Sequence, residues 1–176
     1  MYPKFTLSLS LALSAVVATA PMALAENEVT GSMDLKWNTC YGVPPSEDMP
    51  DWIGTVDIDG KSYDVLFFNV GSGRPPTDRV EEPEMSVHEL WAIYDGLDLT
   101  FDEDCAIETF EGDALMWGHD YGVANFAETL DYHMAGTVLE AFGDFADLAG
   151  HPMQVNGTVV MGEAGPEGAP GTFTVN

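Results

Sequence analysis

The stretch Trp52-Ile53-Gly54-Thr55-Val56-Asp57-Ile58-Asp59-Gly60-Lys61 decides the fold class. Its side chains alternate, with Ile53 and Thr55 on one face and Trp52, Val56 and Ile58 toward the other, which is the period of a half-buried strand. Asp59-Gly60 then supplies the two left-handed positions of a type I′ turn. Lys61 to Val70 returns as the partner strand, with Leu66-Phe67-Phe68 as its apolar centre. A two-residue hairpin at this point predicts an antiparallel sheet.

The pattern continues outward. Met33 to Cys40 reads as an earlier strand, and Ser86 to Asp95 as a later one. In the latter, Val87, Glu89, Trp91 and Ile93 share one face and His88, Leu90, Ala92 and Tyr94 the other. Leu97 to Phe101, Ala106 to Phe110 and Ala114 to Trp117 are shorter candidates, the last two separated by Gly112-Asp113. Phe126, Leu130, Met134 and Val138 recur at helical spacing, whereas Gly136-Thr137-Val138-Leu139 reads as strand. The expectation is a short helix or turn over 125–130 and a strand from Asp131 to Ala141. Gly143 to Gly150 is a compact connection, Met153 to Met161 a strand, Gly162 to Pro170 a loop, and Gly171 to Asn176 the closing strand. Val43 to Pro50 and Gly71 to Pro83 are loops rich in Pro. About eight or nine short strands in one domain predict an all-β antiparallel barrel, whose closure removes exposed edges.

Residues 1–25 read as a removable signal peptide. Lys4 precedes an apolar run from Phe5 to Ala18, and Ala23-Leu24-Ala25 closes the segment. The run is too short for a transmembrane helix, so the expected product is exported, periplasmic or extracellular, with no membrane insertion. Residues 26–176 form the single β-barrel domain. Its charge is four basic residues against 30 acids, or −26. Nucleic acid is excluded as a partner, because phosphate neutralisation needs Lys and Arg. The acids spread along the chain, which fits a saline environment better than a dedicated basic partner. The aromatic content argues for a folded domain under an acidic skin.

Cys40 and Cys105 are the two cysteines. Export permits a bridge, closing a loop that contributes about 4 kcal/mol on the chain-entropy picture. Two unpaired thiols are the alternative, and the bridge is favoured. No cofactor fingerprint or serine elbow occurs. His88, His119, His133 and His151 show no metal spacing, so no metal site is expected. Asp98 and Asp102-Glu103-Asp104 offer the oxygens calcium prefers, but a solvated loop is the simpler reading. Asn156-Gly157-Thr158 is a glycosylation acceptor in a eukaryote and a turn or strand kink in a bacterium.

The C-terminal part carries a further pattern. It runs His133-Met134-Ala135-Gly136-Thr137-Val138, then Gly143-Asp144-Phe145 to Leu148 and Gly150, then Met153 to Val160, then Gly171-Thr172-Phe173-Thr174-Val175. This strand, turn, strand order resembles the allene-oxide-cyclase and dirigent barrel superfamily, and within it the bacterial allene-oxide-cyclase-like domains. The resemblance implies an eight-stranded calycin-type barrel with an apolar cavity. It transfers no catalytic residue.

Together these features predict a barrel that binds a small apolar or aromatic molecule in its interior. His88, Trp91, Tyr94, Trp117 and His119 are the candidate ligand-binding residues, since polar and aromatic groups inside a barrel would set a ligand's pose. The alternatives are an isomerase or cyclase, with His88, His119 or Glu108 as acid or base, and a non-catalytic domain with a filled core. Oligomeric state is not encoded in any motif.

Overall fold

The computed structural model describes residues 28–42, 49–73 and 84–176. The expected signal peptide and both arginines, Arg74 and Arg79, lie outside them. The chain is all-β. Its strands are β1 (Val29–Trp37), β2 (Trp52–Ile58), β3 (Lys61–Gly73), β4 (Glu84–Phe101), β5 (Ile107–Asn125), β6 (Asp131–Ala141), β7 (Pro152–Thr158), β8 (Val160–Gly162), β9 (Gly165–Gly168) and β10 (Gly171–Val175). Antiparallel pairing runs β10-β7-β6-β5-β4-β3-β2-β1, and β1 pairs back onto β10 with Val29 opposite Val175. Eight strands therefore close a barrel. The β8–β9 hairpin joins β1 through Lys36 opposite Gly168 and lies at one end of the barrel.

The hairpin at Asp59-Gly60 forms as the residues require. Ile58 pairs with Lys61, and Asp59 and Gly60 hold φ of 52° and 80°, the left-handed pair of a type I′ turn. The expected strand Asp131 to Ala141 forms, and the segment before it is a turn rather than a helix. Asn125 Oδ1 accepts the amides of Ala127 and Glu128 there, an Asx arrangement that competes with helix.

Three expectations are corrected. β1 begins at Val29 rather than Met33, because Val29 to Met33 pair with β10 to close the barrel, with Gly31 and Met33 pointing inward. The three short candidates between Leu97 and Trp117 belong to two long strands, β4 and β5. Register shifts between Asp95 and Asp98, beside the left-handed Gly96, carry these strands beyond the barrel as an arm. The region Gly162–Pro170, expected as loop, contains β9; Gly and Pro there shape a tight hairpin.

The barrel interior is filled. Trp91 and Phe173 meet edge to face with ring centroids 5.3 Å apart, and Phe67, Met116, Met153, Val65 and Val155 pack around them. Such ring pairs add about 0.5–1.5 kcal/mol beyond area burial. Gly118 makes room for this centre: a Cβ there would lie 2.6 Å from Trp91 Cζ2 and 2.2 Å from the Thr137 carbonyl oxygen. One end is stopped by a 3-10 turn, Gly143–Leu148, which buries Leu148 and sets Phe145 against Tyr63. The other end is the mouth.

Cys40 and Cys105 are bonded, with Cα atoms 5.3 Å apart. The bridge ties the tip of the β4–β5 arm to the segment following β1. The acid run at this tip is occupied by its own turn, since Asp102 Oδ1 accepts the amides of Asp104 and Ala106.

Candidate functional site

Strand parity decides which side chains meet inside. On β4 the inward residues are Val87, Glu89, Trp91 and Ile93; on β5 they are Met116, Gly118, Asp120 and Ala124. Glu89 and Asp120 are direct register partners, and Asn69 of β3 lies across from Glu89 on its other side. Asp51, immediately before β2, completes a polar belt with these residues of β3, β4 and β5. Its position is set by three backbone contacts: its amide donates to the Phe67 carbonyl, its carbonyl accepts the Asn38 amide, and its Oδ1 accepts the Asn69 amide. Asn38 reinforces the segment by donating its side-chain amide to the Pro50 carbonyl.

Asp51, Glu89 and Asp120 are all buried, at 2, 7 and 0% exposure. Burying an ionised carboxylate is costly, so such groups hold their protons instead. Burial first, then the charges of Asp51 and Asp120, raises Glu89 well above the usual range. Burial raises Asp51 to about 7, against the opposing pull of backbone amides. Burial and the Asp51 charge raise Asp120 to about 7. The Asp51 and Glu89 carboxyls are neighbours, and the charge of Asp51 opposes ionisation of Glu89. Among the described residues, neither Asp120 oxygen has a hydrogen-bond partner, nor does the Nε1 of Trp91.

Tyr132 of β6 lies in the same region. Its hydroxyl donates to the Ala169 carbonyl at 3.1 Å, over Gly157 and Gly171, where a Cβ would collide with the phenol. Burial, then the neighbouring Glu89, raises its pKa.

Two spaces adjoin Glu89. Below it is a void of ≈ 40 Å³ bordered by Phe67, Tyr132, Met134 and Val155. That holds water but not a ligand of ordinary size. The expectation of an interior binding cavity is corrected accordingly, because Trp91, Phe67, Phe173 and Met116 occupy the space. Above it, at the mouth, is a pocket of ≈ 370 Å³ walled by Trp37, Tyr41, Trp52 and Phe126, with Asp51 and Glu89 among its lining. Trp37 packs edge to face on both Trp52 and Tyr41, at 5.0 and 5.3 Å.

The five residues expected at an interior site fall elsewhere. Trp91 points inward but is core, 1% exposed. His88, Tyr94, Trp117 and His119 lie on the opposite parity, the outer wall. There Tyr94 and Trp117 join Phe68 and Leu90 along a groove of ≈ 380 Å³. His88 and His119 come within 6.0 Å, centroid to centroid, beside Tyr121. Glu108 is exposed on the arm. None of these four, nor Glu108, borders the mouth. Among the described residues no group of three metal-ligating side chains is placed to hold an ion. No described helix is long and apolar enough to cross a membrane.

Comparison with protein-family models, with curated proteins and with solved structures returns no match.

Proposed function

We propose that this barrel binds a small molecule with an apolar or aromatic body, held at the mouth rather than in the packed interior. The observation that carries this is the ≈ 370 Å³ pocket with four aromatic walls and two buried carboxyls in its lining. Mostly apolar surface with a few convergent polar groups is what a small-molecule site requires. An eight-stranded antiparallel barrel is also what the likeness to the allene-oxide-cyclase and dirigent superfamily implies, which supports the reading without assigning a reaction. We infer export to the periplasm or the extracellular space, supported by a disulfide, which persists in oxidising compartments.

The test is a titration with N-phenyl-1-naphthylamine, a neutral aromatic fluorophore. Saturable binding that Met85→Trp abolishes supports the mouth, since half-buried Met85 lines it and a larger ring there fills it. Binding that survives Met85→Trp would place the site elsewhere.

A catalytic reading of the isomerase type is favoured by one feature, the buried Glu89, whose burial and acidic neighbours keep it protonated. A buried acid that keeps its proton beside a ligand pocket is poised for general acid–base work. In that case Glu89→Gln stops turnover while leaving a substrate-sized molecule in the pocket.

A further inference from the structure

We propose that the molecule taken up at the mouth carries a cationic nitrogen, an amine or quaternary ammonium head on an apolar body. The proposal rests on the mouth being a ligand site and specifies the chemistry of its occupant.

Three observations converge. First, among the described residues lining the mouth, the two that can carry charge at neutral pH, Asp51 and Glu89, are both acidic. Second, among the described residues the belt behind them has no basic side chain in its hydrogen bonds or ion pairs. Asp120 faces Glu89 across the β4/β5 ladder, is fully buried, and has no hydrogen bond to either carboxylate oxygen among the described residues. Three buried carboxyls side by side leave an acceptor-rich site that protons satisfy only in part. A cation seated between the aromatic walls and Asp51–Glu89 compensates that excess from the solvent side. Third, Trp37, Tyr41 and Trp52 form one contiguous aromatic cluster, and indole and phenol rings attract ammonium groups through their quadrupoles.

Other ligand classes fit less well. An anion would meet two carboxyls at the mouth and a whole-chain charge of −25, a field that repels anions and draws cations in. A bare metal ion lacks a ligand set among the described residues. A neutral carbonyl compound could accept the Glu89 proton, and the two cases respond oppositely to pH. Among the described residues, the groups facing Glu89 are Asp51 just before β2, Asp120 from β5, Tyr132 from β6, and Tyr41 from the segment after β1. Both tyrosines stay neutral, so the carboxyls alone set the response. A cation favours the ionised carboxyls and binds more tightly as pH rises; a carbonyl needs a protonated carboxyl and binds less tightly.

The experiment is calorimetric titration of the full chain with (1-naphthylmethyl)trimethylammonium, with its neutral analogue in which carbon replaces nitrogen, and with 1-acetylnaphthalene. The cation is expected to bind at least about tenfold more tightly than its neutral analogue, and to gain at least about tenfold between about pH 6 and about pH 8. In Glu89→Gln and, as a second variant, Asp51→Asn, the difference between cation and analogue should shrink by a similar factor. Equal or tighter binding of the neutral analogue, still blocked by Met85→Trp, would overturn the cationic assignment and leave the mouth as a site. Tighter binding of the ketone at low pH would overturn it in favour of a carbonyl ligand. Binding of no compound, or binding indifferent to Met85→Trp, would overturn the mouth reading itself and the cationic assignment with it.

Discussion

Replacing Asp120 by Asn should flatten the dependence of stability on pH. Asp120 is raised from 3.8 to about 7 by burial and by Asp51. The native state therefore keeps a proton that the unfolded chain releases. Stability contributed by that proton is fully present below the unfolded value and is lost as pH rises through the folded value. The shift is roughly three units, each worth about 1.4 kcal/mol, or about 4 kcal/mol between acid and neutral pH. Solvent screening removes little of this, because Asp120 has no exposed surface. Asn has the same shape, does not titrate, and leaves the local hydrogen bonding much as it is, so the two proteins should be similar in stability near about pH 4.5. Near about pH 7.5 the variant should be the more stable, by about 2–4 kcal/mol once coupling to Asp51 and Glu89 is allowed for. The assay is urea unfolding across that range, followed by tryptophan fluorescence. Many surface acids also repel as they ionise, so the decisive quantity is the difference between the two proteins, taken at high salt, where surface charges are screened. Parallel curves at all pH values would refute the account of a proton held in the belt.

Further outcomes follow from the packing. Gly118→Ala should cost at least about 2 kcal/mol, since its Cβ meets the Thr137 carbonyl and the Trp91 ring; a melting temperature near that of the unaltered protein would contradict this. Cys105→Ser should remove up to about 4 kcal/mol and speed amide exchange along the β4–β5 arm while the barrel strands stay protected. Phe173→Ala should cost about 3–5 kcal/mol, because it empties the barrel centre beside Trp91; chemical unfolding measures it.

The hairpin from Trp52 was legible because alternation and Asp59-Gly60 are both local signals. The strand from Asp131 to Ala141 was legible because β-branched and small residues there outweighed a four-residue apolar spacing. The long β4 and β5 were not, since Gly96 and Gly112-Asp113 look like ends when the bulges that carry strands through them depend on the partner. Gly162 to Pro170 likewise reads as loop until β1 offers it an edge.

The site was harder to see. His88, Tyr94, Trp117 and His119 lie in aromatic-rich stretches, yet their parity sets them outside. The useful signal was Glu89 itself, a charged residue on the same face as Val87, Trp91 and Ile93. A lone acid on an otherwise apolar strand face is rarely buried without a reason. Asp120 carries the same signature between Gly118 and Gly122, but its importance depends on the β4/β5 register, which brings it opposite Glu89. Asp51 precedes its strand and has no periodic signal. With 30 acids in the chain, only the pairing of strands separates these three from the solvated rest.

The four tryptophans provide the most direct measurement. Trp37 and Trp52 wall the mouth, Trp91 is core, and Trp117 lies on the outer groove. The indole N–H resonances of isotope-labelled protein should be recorded while (1-naphthylmethyl)trimethylammonium is added. The account predicts saturable shifts at Trp37 and Trp52, with Trp117 unmoved. Shifts confined to Trp117, or none at Trp37 and Trp52 at saturation, would contradict it.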